Sequence, residues 1–294
     1  MATLKDIKRR IVGVKSTQQV TKAMKMVAAA KLRRAQANII NARPYANKIA
    51  SMISGLPAEE DLSSNIYFAK REVKNVAVVV VTADRGLCGA FNQNIIKEAD
   101  RYIEEELKPF DINYQIFCAG KKGADFFTKR KYEVFGTCTG LFASLNYSSA
   151  LNICDTIISH FLDKSFDKVV LIYNTFVSII QQKIETKQFL PIPIEAGSDE
   201  EHAGDINYIY EPNREHIFEY LIPKHLKAQV WRALLESNAA ELSARMTAMD
   251  NATTNAEEMI KSLNLTYNKE RQAAITKEIL EIVSGANALR TNSQ

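Results

Sequence analysis

All seven prolines fall between Pro44 and Pro223, and that placement limits what the chain can fold into more than any motif does. A proline inside a helix removes a backbone donor and collides with the turn before it, so segments without proline are free to run as long helices. Glycine follows the same division, because Gly13 alone interrupts the first 43 residues and Gly285 alone lies beyond Pro223. Both ends therefore read as rods. If the residues after Pro223 are helical, the second rod is about 100 Å long at 1.5 Å per residue, far beyond an ordinary globular helix.

Each rod carries a seam. Leu4, Ile7, Ile11, Val14, Gln18 and Thr21 follow one another in steps of three and four; past Met24 the seam is expected to slip and to resume at Ala28, Leu32, Ala35 and Ile39. At the other end Leu242, Met246, Met249, Thr253, Ala256, Ile260, Leu263 and Tyr267 repeat the spacing. Steps averaging 3.5 residues mark a left-handed coiled coil, so the two segments are expected to pair. A single amphipathic helix of ordinary length would merely cover a core; rods this long exceed what the middle of the chain can cover, and part of the pair should project as a thin shaft that needs a partner around it.

Charge divides the chain into three. From Met1 to Lys48 twelve Lys or Arg face Asp6 alone, a charge of +11; the middle carries −8, and the stretch from Lys224 onward +1. A basic arm, an acidic body and a nearly neutral tail imply three different surfaces. The opening MATLKDIKRR has no apolar signal core, and no run approaches the length of a membrane span, so the expected compartment is the cytosol or a membrane surface facing it. Cys88, Cys118, Cys138 and Cys154 are widely spaced with no C-x-x-C pair, and are expected as small buried apolar residues.

The middle alternates. Strands are expected near Val76–Thr82, Tyr114–Cys118 and Lys168–Tyr173, helices near Phe91–Leu107, Lys121–Lys129 and Leu145–Phe161, and an extended segment near Ser178–Phe189. That order implies a small, mostly parallel sheet, inserted between the rods with polar linkers over Ala58–Asn75 and Glu195–Asp205. The expected fold is α/β: a long antiparallel coiled coil of N- and C-terminal helices with an inserted Rossmann-like α/β domain, divided as 1–58, 75–210 and 211–294.

Asp84-Arg-Gly-Leu-Cys-Gly-Ala-Phe-Asn92 stands where a strand meets a helix, the place of a phosphate loop. It has Gly86 and Gly89 but neither the Lys and hydroxyl of a P-loop nor the G-x-G-x-x-G spacing, and Asp84 would place negative charge where phosphate should sit. The expectation is a tight turn in which Asp84 caps the following helix or pairs with Arg85 while the glycines allow close backbone approach. His160, His202, His216 and His225 lack ligand-spaced neighbours. Glu104, Glu105 and Glu106 read as a solvated helix face, and no nucleophile elbow occurs. No catalytic, cofactor-binding or metal residue is assigned.

Near the end stands Ile275-Thr-Lys-Glu-Ile-Leu-Glu-Ile-Val-Ser-Gly-Ala-Asn-Ala288. This resembles the C-terminal signature of the gamma subunit of F-type, or rotary, ATP synthases, in its bacterial form. Thr21-Lys-Ala-Met-Lys-Met-Val-Ala-Ala-Ala-Lys-Leu32, the Asp84-Arg-Gly-Leu-Cys-Gly loop and Arg245-Met-Thr-Ala-Met-Asp-Asn-Ala252 resemble that family's other hallmark segments, in order and over nearly the whole chain. Ala90 departs from the family's common second glycine, and the cysteine pair inserted in chloroplast members is absent.

The resemblance implies a non-catalytic subunit, one copy per complex. Its paired helices would form the rotating central shaft inside a ring of three alpha and three beta subunits, its α/β body would bind the epsilon subunit and the membrane c-ring, and transmembrane proton or sodium flow would be coupled to ATP chemistry on the beta subunits. It implies a peripheral place on the cytoplasmic face of the bacterial inner membrane, and no cofactor. It places rotor–stator contacts at Met24, Lys25, Arg245, Arg271, Gln272, Thr276 and Glu278, with Arg245 near Met24, and a shaft-tip bearing at Ser284, Gly285, Ala286 and Leu289, with Ala288 among the small residues of that tip. The basic arm, Lys5, Lys8, Arg9, Arg10, Lys22, Arg33 and Arg34 with Lys25, would meet acidic loops of the ring by long-range attraction. The alternative is a basic coiled-coil protein that binds nucleic acid through phosphate contacts, although no aromatic residue precedes Tyr45 to supply a stacking platform.

Overall fold

The computed structural model describes residues 3–54, 65–69, 71–179, 181–193 and 214–291, without the side chains of 214–216, 218 and 286–291. The linker expected at Glu195–Asp205 lies outside the described residues, as do 58–64 of the other linker, His202 and the side chain of His216. Contacts divide the chain into two compact units, Met1–Val27 with Met246–Gln294, and Ala28–Arg245.

The larger unit is built on a five-stranded sheet. Its strands are β1 (Asn75–Val81), β2 (Asn113–Ala119), β3 (Val134–Cys138), β4 (Lys168–Phe176) and β5 (Gln182–Leu190), in the order β3-β2-β1-β4-β5. All neighbours are parallel except β4 and β5. Helices α2 (Phe91–Tyr102), α3 (Lys121–Lys129) and α4 (Tyr147–Leu162) connect the strands. α2 runs on through a single π turn, Ile103–Leu107, and a 3-10 turn, Lys108–Phe110. β5 is the extended segment foreseen from the sequence. β3 was not foreseen, because Val-Phe-Gly-Thr-Cys is short, carries a glycine and is only half-buried, so it lacks the apolar run that marks β1.

β1 shows why the middle of the chain folds as it does. It is buried on both faces, as a central parallel strand must be, and alternation sends Ala77, Val79 and Val81 one way and Val76, Val78 and Val80 the other. The first set packs with Phe117, Leu171, Ile157 and Phe161 of α4, and with Ile222, Leu226 and Leu234. The second packs with Ile116, Ile172, Ile95 and Ile103, and with Phe127 of α3. Helices therefore cover both faces, the doubly wound arrangement.

The two terminal helices are α1 (Leu4–Ser54) and α5 (Arg214–Thr291). The prolines do not bound them: Pro44 lies inside α1 and Pro223 inside α5. An interior proline costs about 3 kcal/mol, and packing offsets it locally. Ile49 beyond Pro44, and Ile222 and Leu226 around Pro223, are buried.

The slip foreseen past Met24 does not occur either. The less exposed positions of α1 include an unbroken series: Ile7, Ile11, Val14, Gln18, Thr21, Lys25, Ala28, Leu32, Ala35 and Ile39. Lys25 itself occupies the seam, and a charged residue there made the seam look broken. On α5 the corresponding series runs from Met246 through Met249, Thr253, Ala256, Ile260, Leu263 and Tyr267. Within the smaller unit, Thr21 meets Thr253 and Lys25 meets Asp250. The partner's number falls as that of α1 rises, so the helices run antiparallel there.

Turn geometry ties the sheet's upper edge together. Gly120 has φ +115°, and a Cβ on it would lie 2.0 Å from the Thr82 carbonyl oxygen. That closeness lets the Thr82 hydroxyl accept from Gly123 N at 2.9 Å in the first turn of α3. Gly120→Ala is therefore expected to cost about 3 kcal/mol or more, read as a lowered urea midpoint with unchanged slope. Burial drives the thiols of Cys118 and Cys154 up to about 12. At pH 8 their thiolate fraction is then about one in ten thousand. In the folded protein iodoacetamide should leave both unmodified while half-buried Cys138 reacts first, as peptide mass would show.

Candidate functional site

In a doubly wound sheet the ligand crevice opens beyond the carboxyl ends of the strands where strand order reverses, here between β1 and β4. The loop after β1 reaches that place, and side chains fill it. Ala83, Cys88 and Phe91 form a buried cluster with Ala240 of α5, flanked by Phe142, Phe176 and Ala244. The turn uses left-handed backbone at Leu87 (φ 64°) and Gly89 (φ 59°), and Leu87 is 67% exposed.

Asp84 neither caps α2 nor pairs with Arg85. Its carboxylate accepts from Lys121 N at 3.1 Å, Gly140 N at 2.7 Å and Phe142 N at 3.1 Å, drawing the loops after β1, β2 and β3 into one edge. The amide of Asn92 completes the turn by accepting from Ala83 N at 2.8 Å. A carboxylate held by three backbone donors has no place for phosphate, and the sequence could not show this because the three donors lie on two distant loops.

Arg245 fastens α5 to the same loop. Its Nη1 donates to the Gly86 carbonyl at 2.8 Å, and its Nε donates to Glu241 Oε1 at 2.8 Å. Both side chains are largely buried, at 15% and 6% exposure. Burial pushes the Glu241 carboxyl above its ordinary range, while Arg245 opposes the shift. Around them α5 is bolted to the β4–β5 hairpin: Ser237 Oγ accepts from Asn174 N at 3.1 Å, and Gln182 Nε2 donates to Ser243 Oγ at 3.2 Å. Glu241 and the Gly86 carbonyl were not foreseen as partners. The i, i+4 spacing of Glu241 and Arg245 was the available signal.

The smaller unit carries the other foreseen residues except Arg33 and Arg34, which belong to the larger one. Met24 is half-buried, and Lys25 Nζ lies 2.6 Å from Asp250 Oδ1, so that amine is engaged within the chain. Arg271, Gln272, Thr276 and Glu278 are all exposed along α5. Thr276 donates to its own Gln272 carbonyl at 2.9 Å. Ser284 and Gly285 are exposed, Ala286 and Leu289 lie within the helix, and Ile279, Leu280, Ile282 and Val283 near them are 50–71% exposed. Along α1, Lys5, Lys8, Arg9, Arg10, Lys22, Arg33 and Arg34 are exposed, and among the described residues none makes an ion pair. α1 opens on a reciprocal cap in which Asp6 N donates to Thr3 Oγ1 and Thr3 N donates to Asp6 Oδ2, both at 3.2 Å. Among the described residues no group of His, Cys, Asp or Glu is arranged to hold a metal, and no helix is long and apolar enough to cross a membrane.

Fold and site together define a scaffold whose long helices carry exposed cations and exposed apolar side chains, while a buried cluster occupies the crevice of its sheet. Residues 3–289 match the family model described as ATP synthase. The ATP synthase gamma chain of Chlorobaculum parvum is 53% identical over 99% of this chain and 100% of its own length, and that of Chlorobaculum tepidum is 52% identical over the same shares. The fold is also similar to a chain of the Euglena gracilis mitochondrial ATP synthase (TM-score 0.69, 22% identity, 99% of this chain and 96% of that one). A chain of the Tetrahymena thermophila mitochondrial ATP synthase central stalk and c-ring is similar as well (TM-score 0.60, 24% identity, 79% and 99%). The chain belongs to the ATP synthase family, and the curated relatives it matches are gamma chains. Nothing in these matches supports the nucleic-acid reading.

Removing one member of the buried pair leaves a buried charge and a bare carbonyl. Arg245→Ala is expected to cost about 3 kcal/mol, and Arg245→Met with Glu241→Leu to recover most of it. Urea unfolding of both variants measures the difference.

Proposed function

We propose that this chain is the central shaft of a rotary ATP synthase, carrying no active site of its own, with α1 and α5 paired as an antiparallel coiled coil and the division 1–58, 75–210 and 211–294 separating shaft from base. The match over residues 3–289, to a family whose relatives are gamma chains, carries this reading. The partners are three alpha and three beta subunits around the helices, with the epsilon subunit and a membrane c-ring at the α/β body. The chain is then peripheral, at the cytoplasmic face of a bacterial inner membrane, and rotation couples proton or sodium flow to ATP synthesis or hydrolysis on the beta subunits.

The physics of such a shaft is differential contact. One asymmetric helix pair inside three equivalent sites touches each differently, and turning it changes which site is favoured. Moving a site from mostly one state to mostly the other takes roughly 5.5 kcal/mol of differential contact, and nucleotide binding biases the shaft angle through the same coupling. The exposed cations Lys5, Lys8, Arg9, Arg10, Lys22, Arg33 and Arg34 of α1 suit this task because screened attraction changes smoothly as surfaces slide. Arg271, Gln272, Thr276 and Glu278 are the proposed contacts with the ring, together with Met24, while the apolar end of α5 with Ser284, Gly285, Ala286 and Leu289 would turn in an apolar bearing.

Purified alpha and beta subunits should bind one copy of this chain per three-plus-three ring and gain steady ATPase turnover, while the chain alone hydrolyses nothing. Arg271→Ala should lower turnover of that assembly about tenfold, roughly 1.4 kcal/mol of lost coupling, without moving the unfolding midpoint. Failure to associate, or ATP hydrolysis by the chain alone, would refute the shaft reading.

A further inference from the structure

The seam of the smaller unit holds two polar contacts at one level, where an apolar seam would have packed well enough. Thr21 is buried, at 8% exposure, and its hydroxyl lies 2.8 Å from that of Thr253. Each hydroxyl also has a carbonyl of its own helix within reach: Gln18 O at 3.0 Å for Thr21, and Met249 O at 2.7 Å for Thr253. One hydroxyl donates across the seam while the other donates to its own helix, so both protons are used. One turn further along α1, Lys25 takes the next seam position and reaches Asp250 at 2.6 Å.

The residues around these contacts, Met246, Met249 and Ala256, are flexible or small. Such surfaces pack nearly as well after sliding by one turn, so they set no register. The polar contacts do. Sliding α5 one way brings Ala256 to Thr21 and Thr253 to Lys25; sliding it the other way brings Asp250 to Thr21 and Met246 to Lys25. Either move breaks the hydroxyl pair and the ion pair together. A polar residue on an apolar seam specifies register at some cost in stability.

We infer that Thr21–Thr253 and Lys25–Asp250 form a register lock, positioning residues that stop the two helices from creeping past one another at the level of Met24. This rests on the shaft reading for its purpose, since a helix pair that transmits torque must not relax by slipping, but the register itself can be measured without it.

In the full-length chain, Val14→Cys with Ile260→Cys reports the native register and Val14→Cys with Leu263→Cys reports a one-turn slip, each scored by the mass of the disulfide-linked peptide after mild oxidation. With the lock intact the first pair should join at least tenfold faster than the second. With Thr21→Val, Thr253→Val and Asp250→Asn added, the slipped disulfide should rise at least tenfold. Thr21→Ser with Thr253→Ser, which keeps both hydroxyls, should hold the native ratio. An unchanged ratio in the triple variant overturns the lock. In membranes carrying the complete complex the same variant should lower protons pumped per ATP hydrolysed. Slipped register with full pumping would leave the lock standing and overturn its role in torque.

Discussion

The fold depends on how α5 is buried. From Ile222 to Ser243 nearly every side chain is buried or half-buried, whatever direction it faces, and a helix buried all round must have partners on every side. The sheet supplies one through the face bearing Val79, Leu171 and Phe161. α1 and α4 supply others across a cavity of about 230 Å³ lined in part by Ile39, Ala42, Tyr147 and Trp231. Beyond Met246 the pattern on the same helix thins to positions three and four apart. Arg245, joined to Glu241 and to the Gly86 carbonyl, stands where one regime gives way to the other.

That arrangement explains a nucleotide-type sheet with its crevice filled. The carboxyl ends of β1 and β4 open a crevice in any doubly wound fold, and in this one Cys88, Phe91 and Ala240 occupy it. Asp84 then acts as a staple, its carboxylate holding the amides of Lys121, Gly140 and Phe142. Charge-assisted bonds of this kind are stronger than neutral ones, and they stiffen the edge against which α5 lies. Under the proposed function, a stiff edge serves a base that passes torque to a shaft better than an open cleft does.

The exposed parts of the helices have the complementary property. Lys5, Lys8, Arg9, Arg10, Lys22, Arg33 and Arg34 of α1 are exposed, and the end of α5 exposes Ile279, Leu280 and Ile282. Exposed charge in bulk solvent is screened beyond about 8–10 Å, and exposed apolar surface is unfavourable until covered. In the proposed shaft the first kind of surface suits angle-dependent attraction and the second a non-directional bearing.

Much of this was legible in the residues themselves. The absence of proline and glycine, the 3.5-residue seam and the run Val76–Val81 specify long helices and a central parallel strand, because helix and strand periodicity are local properties of backbone geometry. The exposed candidates Arg271, Gln272, Thr276 and Glu278 could be named from resemblance alone. What only the tertiary structure decided were pairings between distant segments. The seam looked as if it slipped past Met24 until Lys25 stood in it beside Asp250, Asp84 looked like a cap or a partner of Arg85 until amides of two other loops converged on it, and the cost of Pro44 and Pro223 inside helices is offset by buried neighbours. Each outcome turns on a charge, a donor or an apolar contact supplied from far along the chain, and local pattern holds no information about which distant group arrives.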